Sequence, residues 1–332
     1  MPWKGERDAY KIWLSEIILQ QTRVEQGREY YLRFVKRFKS VHQLAAADEA
    51  QVLKMWEGLG YYSRARNLHF TAKHISANLG GRFPDNYLEI LRLKGIGPYT
   101  AAAIASFAFQ QVCAVVDGNV VRVLSRYFGI KTGYTTANAR TKLANLANEL
   151  IDVRRPDLYN QAIMDFGATV CSPAAVSCSI CVLRSKCYAH KYKLVEALPV
   201  PRSKPPLKNR FFVFVHIRHN GNTYVQKRSE KDIWRGLYQF PVVECSKAQW
   251  ENRLSHTSKF LQKLKLEPAS CKAVWMDIYT QMLSHQKIHA SFLEVQLQSG
   301  SSALSYFEKT SSAKLKSLAF PGVIRQYMHA IE

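Results

Sequence analysis

The 332-residue sequence lacks any long uninterrupted apolar run. Its longest apolar stretch, Tyr99 to Val116, is broken by Gln110 and Gln111, and it falls short of the roughly 20 apolar residues that a membrane-spanning helix requires. No apolar segment follows the charges of the first six residues, which excludes a secretory signal there. We therefore expect no membrane segment and a reducing compartment, in which the seven cysteines do not form disulfides.

Acidic residues are scarce relative to basic ones. The chain carries 47 Lys and Arg against 25 Asp and Glu, a formal net charge of +22. An excess of this size attracts polyanions, and nucleic acid is the first candidate partner. A basic surface also keeps a protein in solution, so charge alone leaves both interpretations open.

Strand signals are nearly absent from residues 8–193, where apolar residues recur at helical spacing. Asp8 is a candidate N-cap for the first helix, which continues through Ile18. Further helices are predicted over residues 23–38, 48–56, 63–78, 87–93, 99–109, 120–128, 137–151 and 157–170. We therefore predict an all-α N-terminal domain over residues 1–195.

A proline-rich segment then changes the pattern. Residues 198–206 contain four prolines, which neither a helix interior nor a sheet centre accommodates, so residues 196–209 are predicted to form a linker. Beyond it, β-branched and aromatic runs predict strands over residues 211–217, 223–227, 237–243, 273–279 and 287–296, with a hairpin turn at Asn220–Gly221. Helices are predicted over residues 248–264 and 322–331, which makes residues 210–332 an α+β domain.

Four of the seven cysteines, Cys171, Cys178, Cys181 and Cys187, fall within seventeen positions with the spacing Cx6Cx2Cx5C. Thiolates this close in sequence can surround one metal centre. Structural zinc more often uses two separated CxxC pairs or adds histidines, whereas one compact loop with four sulfurs also suits a cubane iron–sulfur cluster. The spacing favours iron–sulfur and leaves zinc as the competing interpretation.

A second motif, LKGIGPYTA, runs from Leu93 to Ala101 between two predicted helices. Gly95 and Gly97 permit positive φ and close backbone approach, and Pro98 suits the first position of a new helix. Lys94 and the backbone N–H groups at that helix start are candidates for binding a DNA phosphate, as in a helix–hairpin–helix motif. An ordinary glycine turn is the plain alternative.

Two carboxylates occupy unusual sequence contexts. Glu16 lies within an apolar run from Trp13 to Leu19, where a charge is costly to desolvate unless it is used or paired. Asp117 precedes Gly118, a context typical of turns and helix caps, and Glu16 is alternatively a lining residue paired with an arginine. Together the two carboxylates suggest the acid and the nucleophile, or cation stabiliser, of glycosidic bond cleavage.

These motifs resemble the adenine DNA glycosylase (MutY) family of the endonuclease III superfamily. The resemblance covers almost the whole chain. The cysteine spacing and the hairpin are shared with the wider superfamily, whereas the segments around Glu16 and Tyr61 and the second domain are more specific to adenine glycosylases. The matching segments are residues 14–24, 56–68, 93–101, 117–124 and 164–168 and the four cysteines.

The resemblance implies removal of adenine mispaired with 8-oxoguanine, or with guanine, in double-stranded DNA. Glu16 is then the acid that protonates adenine N7 and afterwards assists water, and Asp117 stabilises the sugar cation or traps it covalently. The four cysteines hold a 4Fe–4S cluster with a structural and DNA-binding role. The remaining residues that the resemblance singles out are Tyr99 and Asn119, which support the carboxylates, and Gln21 and Tyr61, which enter the base stack.

The second domain resembles the MutT-like (Nudix-fold) domain of this family. Nucleotide hydrolysis is not expected, because residues 246–260 contain only Glu251 where a hydrolase needs a glutamate-rich box. The family loop of Phe-Ser-His type, which reads 8-oxoguanine, corresponds here to Leu283, Ser284 and His285. The polar pair is kept and the stacking ring is lost, and an ordinary turn is the alternative interpretation.

Position 99 bears on the reaction type. Relatives that also nick the DNA strand place a lysine at the equivalent position to form a Schiff base, whereas this chain has Tyr99, which implies a monofunctional glycosylase. The competing interpretations are a thymine-mismatch or oxidised-pyrimidine glycosylase of the same superfamily, and a DNA-damage binder without catalysis.

The resemblance also sets expectations about context. We expect a monomeric bacterial protein that acts on nucleoid DNA in the cytoplasm. The family normally has another helix ahead of the segment matched by Pro2–Trp3, so either the start was assigned late or this member is shortened.

Overall fold

The structure is a computed structural model that describes residues 2–132, 134, 136–200, 206–229, 231–298 and 302–331. Contacts divide the chain into two compact units. The first unit contains residues 1–46 and 67–204, and the second contains residues 47–66 and 205–332. The short segment 47–66 therefore belongs, by its contacts, with the C-terminal part of the chain.

The N-terminal part of the chain is helical, as the apolar spacing predicts. Its helices are α1 (Ala9–Leu19), α2 (Val24–Arg37), α3 (Val41–Ala46), α4 (Glu49–Trp56), α5 (Ser63–Asn78), α6 (Tyr87–Arg92), α7 (Pro98–Phe109), α8 (Gly118–Phe128), α9 (Ala137–Leu150), α10 (Pro156–Thr169) and α11 (Tyr188–Lys191). Two 3-10 turns, Cys178–Ile180 and Arg184–Lys186, precede α11. The short helices α3 and α11 are not predicted from the sequence.

Helix α1 is a largely buried element of the first unit. Asp8 caps it by accepting a hydrogen bond from the Tyr10 amide at 2.9 Å, as the sequence predicts. Trp13, Leu14 and Ile18 are buried, because α1 packs against α2 on one side and against α7 on another. Helix α7 also contacts α6 and α10, and α10 packs against α8. This packing positions the candidate site, which uses α1 and the beginnings of α7 and α8.

The second unit contains a seven-stranded sheet. Its strands are β1 (Lys208–His219), β2 (Asn222–Lys227), β3 (Tyr238–Gln239), β4 (Val242–Cys245), β5 (Cys271–Met282), β6 (Gln286–Leu297) and β7 (Glu308–Thr310). Its later helices are α12 (Lys247–Glu251), α13 (Thr257–Lys263), α14 (Ser312–Ser317) and α15 (Gly322–Ala330). Part of the predicted linker, residues 201–205, lies outside the described residues.

Neighbouring strands are hydrogen-bonded in the order β3-β2-β1-β6-β5. In addition, β4 pairs with β1 and β7 pairs with β2. The β1–β6 pair is parallel and the other pairs are antiparallel. Asn220 and Gly221 have φ values of 49° and 71°. Two consecutive positive φ angles are typical of the hairpin turn that this dipeptide predicts.

Helices cover both faces of the sheet. On one face, Val213, Val215 and Leu293 pack with Phe260 of α13. On the other, Phe292 stacks on Tyr327 of α15, with ring centroids 4.0 Å apart. The all-α and α+β architectures predicted from the sequence are both confirmed.

The C-terminal part differs from the sequence prediction in one strand and one helix. The single strand predicted over residues 237–243 is wrong, because the structure has two short strands, β3 and β4, separated at Phe240 and Pro241. The single helix predicted over residues 248–264 is wrong, because the structure has two helices, α12 and α13. Between them Asn252 donates a side-chain hydrogen bond to the Ala248 carbonyl, and Ser255 donates one to the Asn252 carbonyl. Such side-chain bonds to the backbone compete with helix continuation. The short elements β7 and α14 are not predicted from the sequence either.

Within the described ranges, no helix combines the length and the apolar character that crossing a bilayer requires.

Candidate functional site

Glu16 and Tyr99 meet where α1 packs against α7. Glu16 lies in the middle of α1, and Tyr99 lies in the first turn of α7 directly after Pro98. The Tyr99 hydroxyl donates a hydrogen bond to the Glu16 carboxyl group. The apolar run that surrounds Glu16 in sequence therefore supplies the core contacts of α1, while the glutamate itself faces a polar partner.

The surroundings of Glu16 favour its neutral form. Burial raises the pKa of Glu16, the hydrogen bond from Tyr99 opposes this rise, and the nearby charge of Asp117 adds to it. The net result is a pKa of about 7. Part of the residue still reaches a solvent-accessible surface. A carboxyl group with a pKa near 7 can exchange a proton with a substrate at neutral pH.

Asp117 is the N-cap of α8. One carboxylate oxygen accepts a hydrogen bond from the Val120 backbone amide at 2.7 Å, and the other accepts one from the Asn119 side-chain amide at 2.7 Å. Both donors and the positive end of the helix favour negative charge at this position. The structure thus brings together all four candidate catalytic residues, namely Glu16, Tyr99, Asp117 and Asn119.

Arg122 holds Asn119 in place and is not among the site residues predicted from the sequence. Its guanidinium donates to the Asn119 side-chain oxygen at 2.8 Å, to the Gly167 carbonyl at 2.6 Å and to the Cys171 carbonyl at 2.7 Å. Only 8% of this residue is exposed. The signal in the sequence was an arginine among four apolar residues, Val120, Val121, Val123 and Leu124, since a buried guanidinium requires several acceptors.

A cavity of about 100 Å³ opens beside Glu16. Arg7 forms one part of its wall, donating to the Phe107 carbonyl at 3.1 Å and pairing with Asp157 at 2.7 Å. These neighbours were not predicted, because nothing local in the sequence connects the first residues to α10. The lining also includes Trp3, Gly5, Glu6, Ile12, Ser15, Leu158 and Gln161.

The glycine motif forms the turn between α6 and α7. Gly95 has a φ of 82°, and a Cβ there would lie 2.6 Å from the Cβ of Asn67, so only glycine fits. Gly97 caps α7 and faces open space. Lys94 is exposed, with its ammonium 4.1 Å from the centre of the Phe70 ring. The turn is thus anchored on one side, while Lys94 and Gly97 are open to solvent.

The four clustered cysteines follow α10 and are mutually close. Burial raises the pKa of the Cys178 thiol, and the charges of Cys181, Cys171 and Cys187 raise it further. Arg126 anchors the loop by donating to the Cys171 sulfur at 3.4 Å and to the Ser172 carbonyl at 2.8 Å. Cys187 contacts the Arg126 carbonyl through its sulfur at 3.6 Å.

The donor set at this loop consists of thiols with an adjacent guanidinium. No three His, Cys, Asp or Glu side chains of the described residues lie closely enough to share one metal ion. Thiols are the ligands of iron–sulfur clusters, and the positive charge of Arg126 acts to lower the pKa of the Cys178 thiol against the effect of burial. The chemistry of these residues therefore fits an iron–sulfur cluster.

A larger cavity of about 560 Å³ lies in the second unit. Its walls contain three of the residues predicted to bind DNA, Tyr61, Ser284 and His285. Ser284 and His285 form the tight β5–β6 turn, which is closed by a hydrogen bond from the Leu283 amide to the Gln286 carbonyl at 2.8 Å. Tyr61 is 47% exposed. The cavity therefore places an aromatic ring and a polar turn around one space.

Gln21 lies in the first unit, directly after the C-cap of α1. Its φ of 56° is in the left-handed region, and the residue is exposed. Tyr61 also has a positive φ, 46°, in the turn after α4. Non-glycine residues with positive φ are uncommon and often mark functional turns.

Two family models match the chain. One describes the HhH-GPD superfamily of base excision DNA repair proteins and matches residues 14–149, and the other describes the NUDIX domain and matches residues 212–330. The fold and the paired carboxylates therefore define a helix–hairpin–helix DNA glycosylase of base excision repair. The matched residues contain Glu16, Asp117 and the hairpin.

Curated relatives narrow this class. An adenine DNA glycosylase of Buchnera aphidicola subsp. Schizaphis graminum is 36% identical over 241 residues, which is 73% of this chain and 70% of that protein. The Mus musculus adenine DNA glycosylase is 42% identical, over 58% of this chain and 39% of that protein. The Arabidopsis thaliana adenine DNA glycosylase is 32% identical, over 92% of this chain and 56% of that protein. The chain belongs to the adenine DNA glycosylase family, which confirms the resemblance in the sequence.

Solved structures give the same fold. A thermostable thymine-DNA glycosylase matches with a TM-score of 0.54 and 31% identity, over 58% of this chain and 88% of that chain. A non-covalent complex of endonuclease III with DNA matches with a TM-score of 0.51 and 19% identity, over 57% of this chain and 87% of that chain. The second likeness supports the fold alone.

Proposed function

We propose that this protein removes adenine mispaired with 8-oxoguanine, or with guanine, by hydrolysing the N-glycosidic bond of a nucleotide flipped out of duplex DNA. The observation that carries the proposal is the pairing of Glu16, whose pKa burial raises to about 7, with Asp117 at the start of α8. Family membership supports the choice of adenine.

Glu16 acts as the general acid. It transfers its proton to adenine N7 as the bond between N9 and C1′ breaks, so that adenine leaves with the bonding electron pair as a neutral base. The glutamate is then an anion that accepts a proton from the water attacking C1′. Atoms and charge balance, and the products are free adenine and an abasic site. Tyr99 orients the carboxyl group through its hydrogen bond.

Asp117 stabilises the positive charge that develops on the deoxyribose as the bond breaks. Its two oxygens are fixed by Val120 and Asn119, so no reorganisation is needed when the charge appears. The absence of a lysine at position 99 supports a monofunctional enzyme, because Tyr99 cannot form a Schiff base.

DNA is held by several parts of the chain in this proposal. Lys94, Gly95 and Gly97 contact a phosphate, because the hairpin is open to solvent at Lys94 and Gly97. Gln21 and Tyr61 enter the base stack, which offsets part of the cost of flipping adenine. Ser284 and His285 read 8-oxoguanine in the cavity they share with Tyr61.

Cys171, Cys178, Cys181 and Cys187 hold a 4Fe–4S cluster in this proposal. When bound, the cluster stabilises the loop and its basic surface, and it takes no part in bond cleavage. The four-thiol donor set and the compact spacing of the cysteines support this assignment, and Arg126 anchors the loop that carries them.

We further propose that residues 1–195 are the catalytic domain, residues 196–209 the linker and residues 210–332 the lesion-reading domain. The protein acts as a monomer on nucleoid DNA in the bacterial cytoplasm. The formal charge of +22 supports the DNA partner.

A single-turnover excision assay tests the proposed function. Duplexes with adenine opposite 8-oxoguanine, adenine opposite guanine, thymine opposite guanine and thymine glycol are each incubated with the intact protein. We expect release of adenine only. Release of thymine or thymine glycol instead would support another glycosylase of the superfamily.

The variant Glu16→Gln separates an enzyme from a binder. It should bind the mispaired duplex as tightly as the wild type and lose adenine release by about a hundredfold or more. Binding without any release by the wild-type protein itself would indicate a DNA-damage binder and overturn the proposal.

A further inference from the structure

The cavity around Tyr61 and the Ser284–His285 turn has two walls. One wall is the turn after α4, residues 58–62, and the other is the end of β5 with the turn to β6, residues 281–285. Gly322, the first residue of α15, lines the cavity as well. The start of α15 therefore contacts the space that both walls enclose.

The Tyr61 wall contains an unusual backbone. Gly58, Gly60 and Tyr61 all have positive φ, at 100°, 73° and 46°. Glycine adopts positive φ without strain, whereas Tyr61 carries a conformational cost that its surroundings must offset. Trp56 does so by donating its indole N–H to the Gly60 carbonyl at 3.0 Å, and Arg64 does so by donating to the Leu59 and Gly60 carbonyls at 3.3 Å.

Glu57 ties this wall to the start of α15. One oxygen of its largely buried carboxylate accepts the Phe320 amide at 2.8 Å. The other is paired with Lys54 at 2.8 Å and with Arg325 at 3.7 Å. Lys54 in turn donates to the Leu318 carbonyl at 2.9 Å. Glu57 directly precedes the turn formed by residues 58–62, so its position sets where that turn begins.

Gln281 connects the opposite wall, residues 281–285, to the start of α15. Its side-chain oxygen accepts the Val323 amide at 3.1 Å. A Cβ at position 322 would lie 3.0 Å from its side-chain nitrogen, so the two elements are in close contact. The residues Leu283, Ser284 and His285 follow Gln281 by two to four positions. A fixed Gln281 therefore fixes the direction in which this turn leaves β5.

We propose that Glu57 and Gln281 are positioning residues for specificity, which lock the Tyr61 wall and the Ser284–His285 wall to the start of α15 and so set the spacing that recognises 8-oxoguanine. The proposal rests on the proposed function. Neither residue is required to touch the lesion. The backbone amides of Phe320 and Val323 lie three positions apart in the chain. Because each donates a hydrogen bond to one wall, both walls are held to the same short segment.

The test compares single-turnover adenine release from duplexes with adenine opposite 8-oxoguanine and opposite guanine. Glu57→Met and Gln281→Met remove the acceptor, while Glu57→Gln and Gln281→Glu retain an acceptor oxygen. We expect each methionine variant to lower the preference for the 8-oxoguanine duplex about tenfold, the effect typical of losing a hydrogen bond to a buried group. Release opposite guanine should change by less than about threefold, and the conservative variants should restore part of the preference.

Glu251→Met is the matched control, because Glu251 is an exposed glutamate on α12 and does not line the cavity. Its preference should equal that of the wild type. Unchanged preference in both methionine variants, or an equal loss on both duplexes, would overturn the proposal. Should the methionine variants fail to fold, Glu57→Gln carries the test, since losing its charge should still lower the preference about threefold, and no change would refute the proposal.

Failure of the proposed function is distinguishable from failure of this inference. A wild-type protein that releases no adenine from either duplex refutes the function. A wild-type protein that releases adenine and prefers 8-oxoguanine, together with variants that retain that preference, refutes only the role of Glu57 and Gln281.

Discussion

The Tyr99 hydroxyl donates a hydrogen bond to the carboxyl group of Glu16, and this bond joins the first turn of α7 to the middle of α1. Burial raises the pKa of Glu16, the hydrogen bond from Tyr99 lowers it and the charge of Asp117 raises it, with a net value of about 7. The glutamate is therefore near the balance point between its two protonation states at neutral pH.

The pH profile of adenine release follows from this balance. Because the acid must be protonated, the single-turnover rate constant should be nearly constant below pH 6 and fall about tenfold per pH unit above pH 7. The measurement is release from duplex with adenine opposite 8-oxoguanine at saturating protein. A rate that stays constant between pH 6 and pH 9 would contradict the role of Glu16.

Replacing Tyr99 by Phe should move this profile. Loss of the hydrogen bond raises the pKa of Glu16, so the falling limb should shift upward by about one pH unit. Tyr87→Phe is the control, because Tyr87 packs against the same buried cluster as Tyr99. If both variants keep the wild-type profile, the Tyr99 hydroxyl does not tune the acid.

The raised pKa of Glu16 also predicts a stability effect. The unfolded chain loses its proton near pH 4.5 and the folded chain near pH 7, so stability falls as pH rises between these values. The full difference corresponds to about 3 kcal/mol. Relative to the wild type, Glu16→Gln should therefore gain about 2 to 3 kcal/mol of unfolding free energy between pH 5 and pH 8. Urea unfolding without DNA measures this, and a constant difference across that range would refute it.

Variants of the two hairpin glycines are expected to affect different properties, stability for Gly95 and DNA binding for Gly97. Gly95→Ala should cost roughly 1–3 kcal/mol of unfolding free energy, because its φ is positive and its Cβ would meet Asn67. Gly97→Ala should change stability by less than about 1 kcal/mol, since its φ is −96° and its surroundings are open. It should nevertheless weaken binding to duplex DNA, measured by fluorescence anisotropy. Unchanged binding would show that no phosphate approaches this backbone.

The metal content tests the cysteine loop. The purified protein should contain about four iron and four labile sulfide atoms per chain, and Cys178→Ser should lose them. Cys113→Ser is the control, because Cys113 lies near α7, outside the loop. One zinc atom per chain in place of iron would support the alternative interpretation.

Local sequence signals determined much of the fold. The Asp8 cap, the Asn220–Gly221 turn and the glycine at position 95 are features that a few neighbouring residues decide, because capping and positive φ are local properties. Helical spacing located most helices of the first unit to within a few residues. The break between α12 and α13 was not predicted, because side-chain bonds to the backbone interrupt a pattern that otherwise continues.

Of the candidate site, the sequence likewise predicted some residues and not others. Glu16 and Asp117 were recognisable as candidates because a carboxylate in an apolar run and an Asp before a helix each carry a chemical meaning on their own. The partners of these residues were not recognisable. Arg122 reaches Asn119 within α8 but also Gly167 and Cys171 from a distant part of the chain, and Arg7 reaches Asp157.

The sequence by itself determined the classes of element and the chemistry of single residues, since these depend on spacing along the chain. Only the tertiary structure decided which distant side chains share a space, such as Glu16 with Tyr99 and Glu57 with the Phe320 amide. The physical reason is that a buried charge or polar group takes its partner from whatever the packing brings near it, and packing is not written in any local pattern.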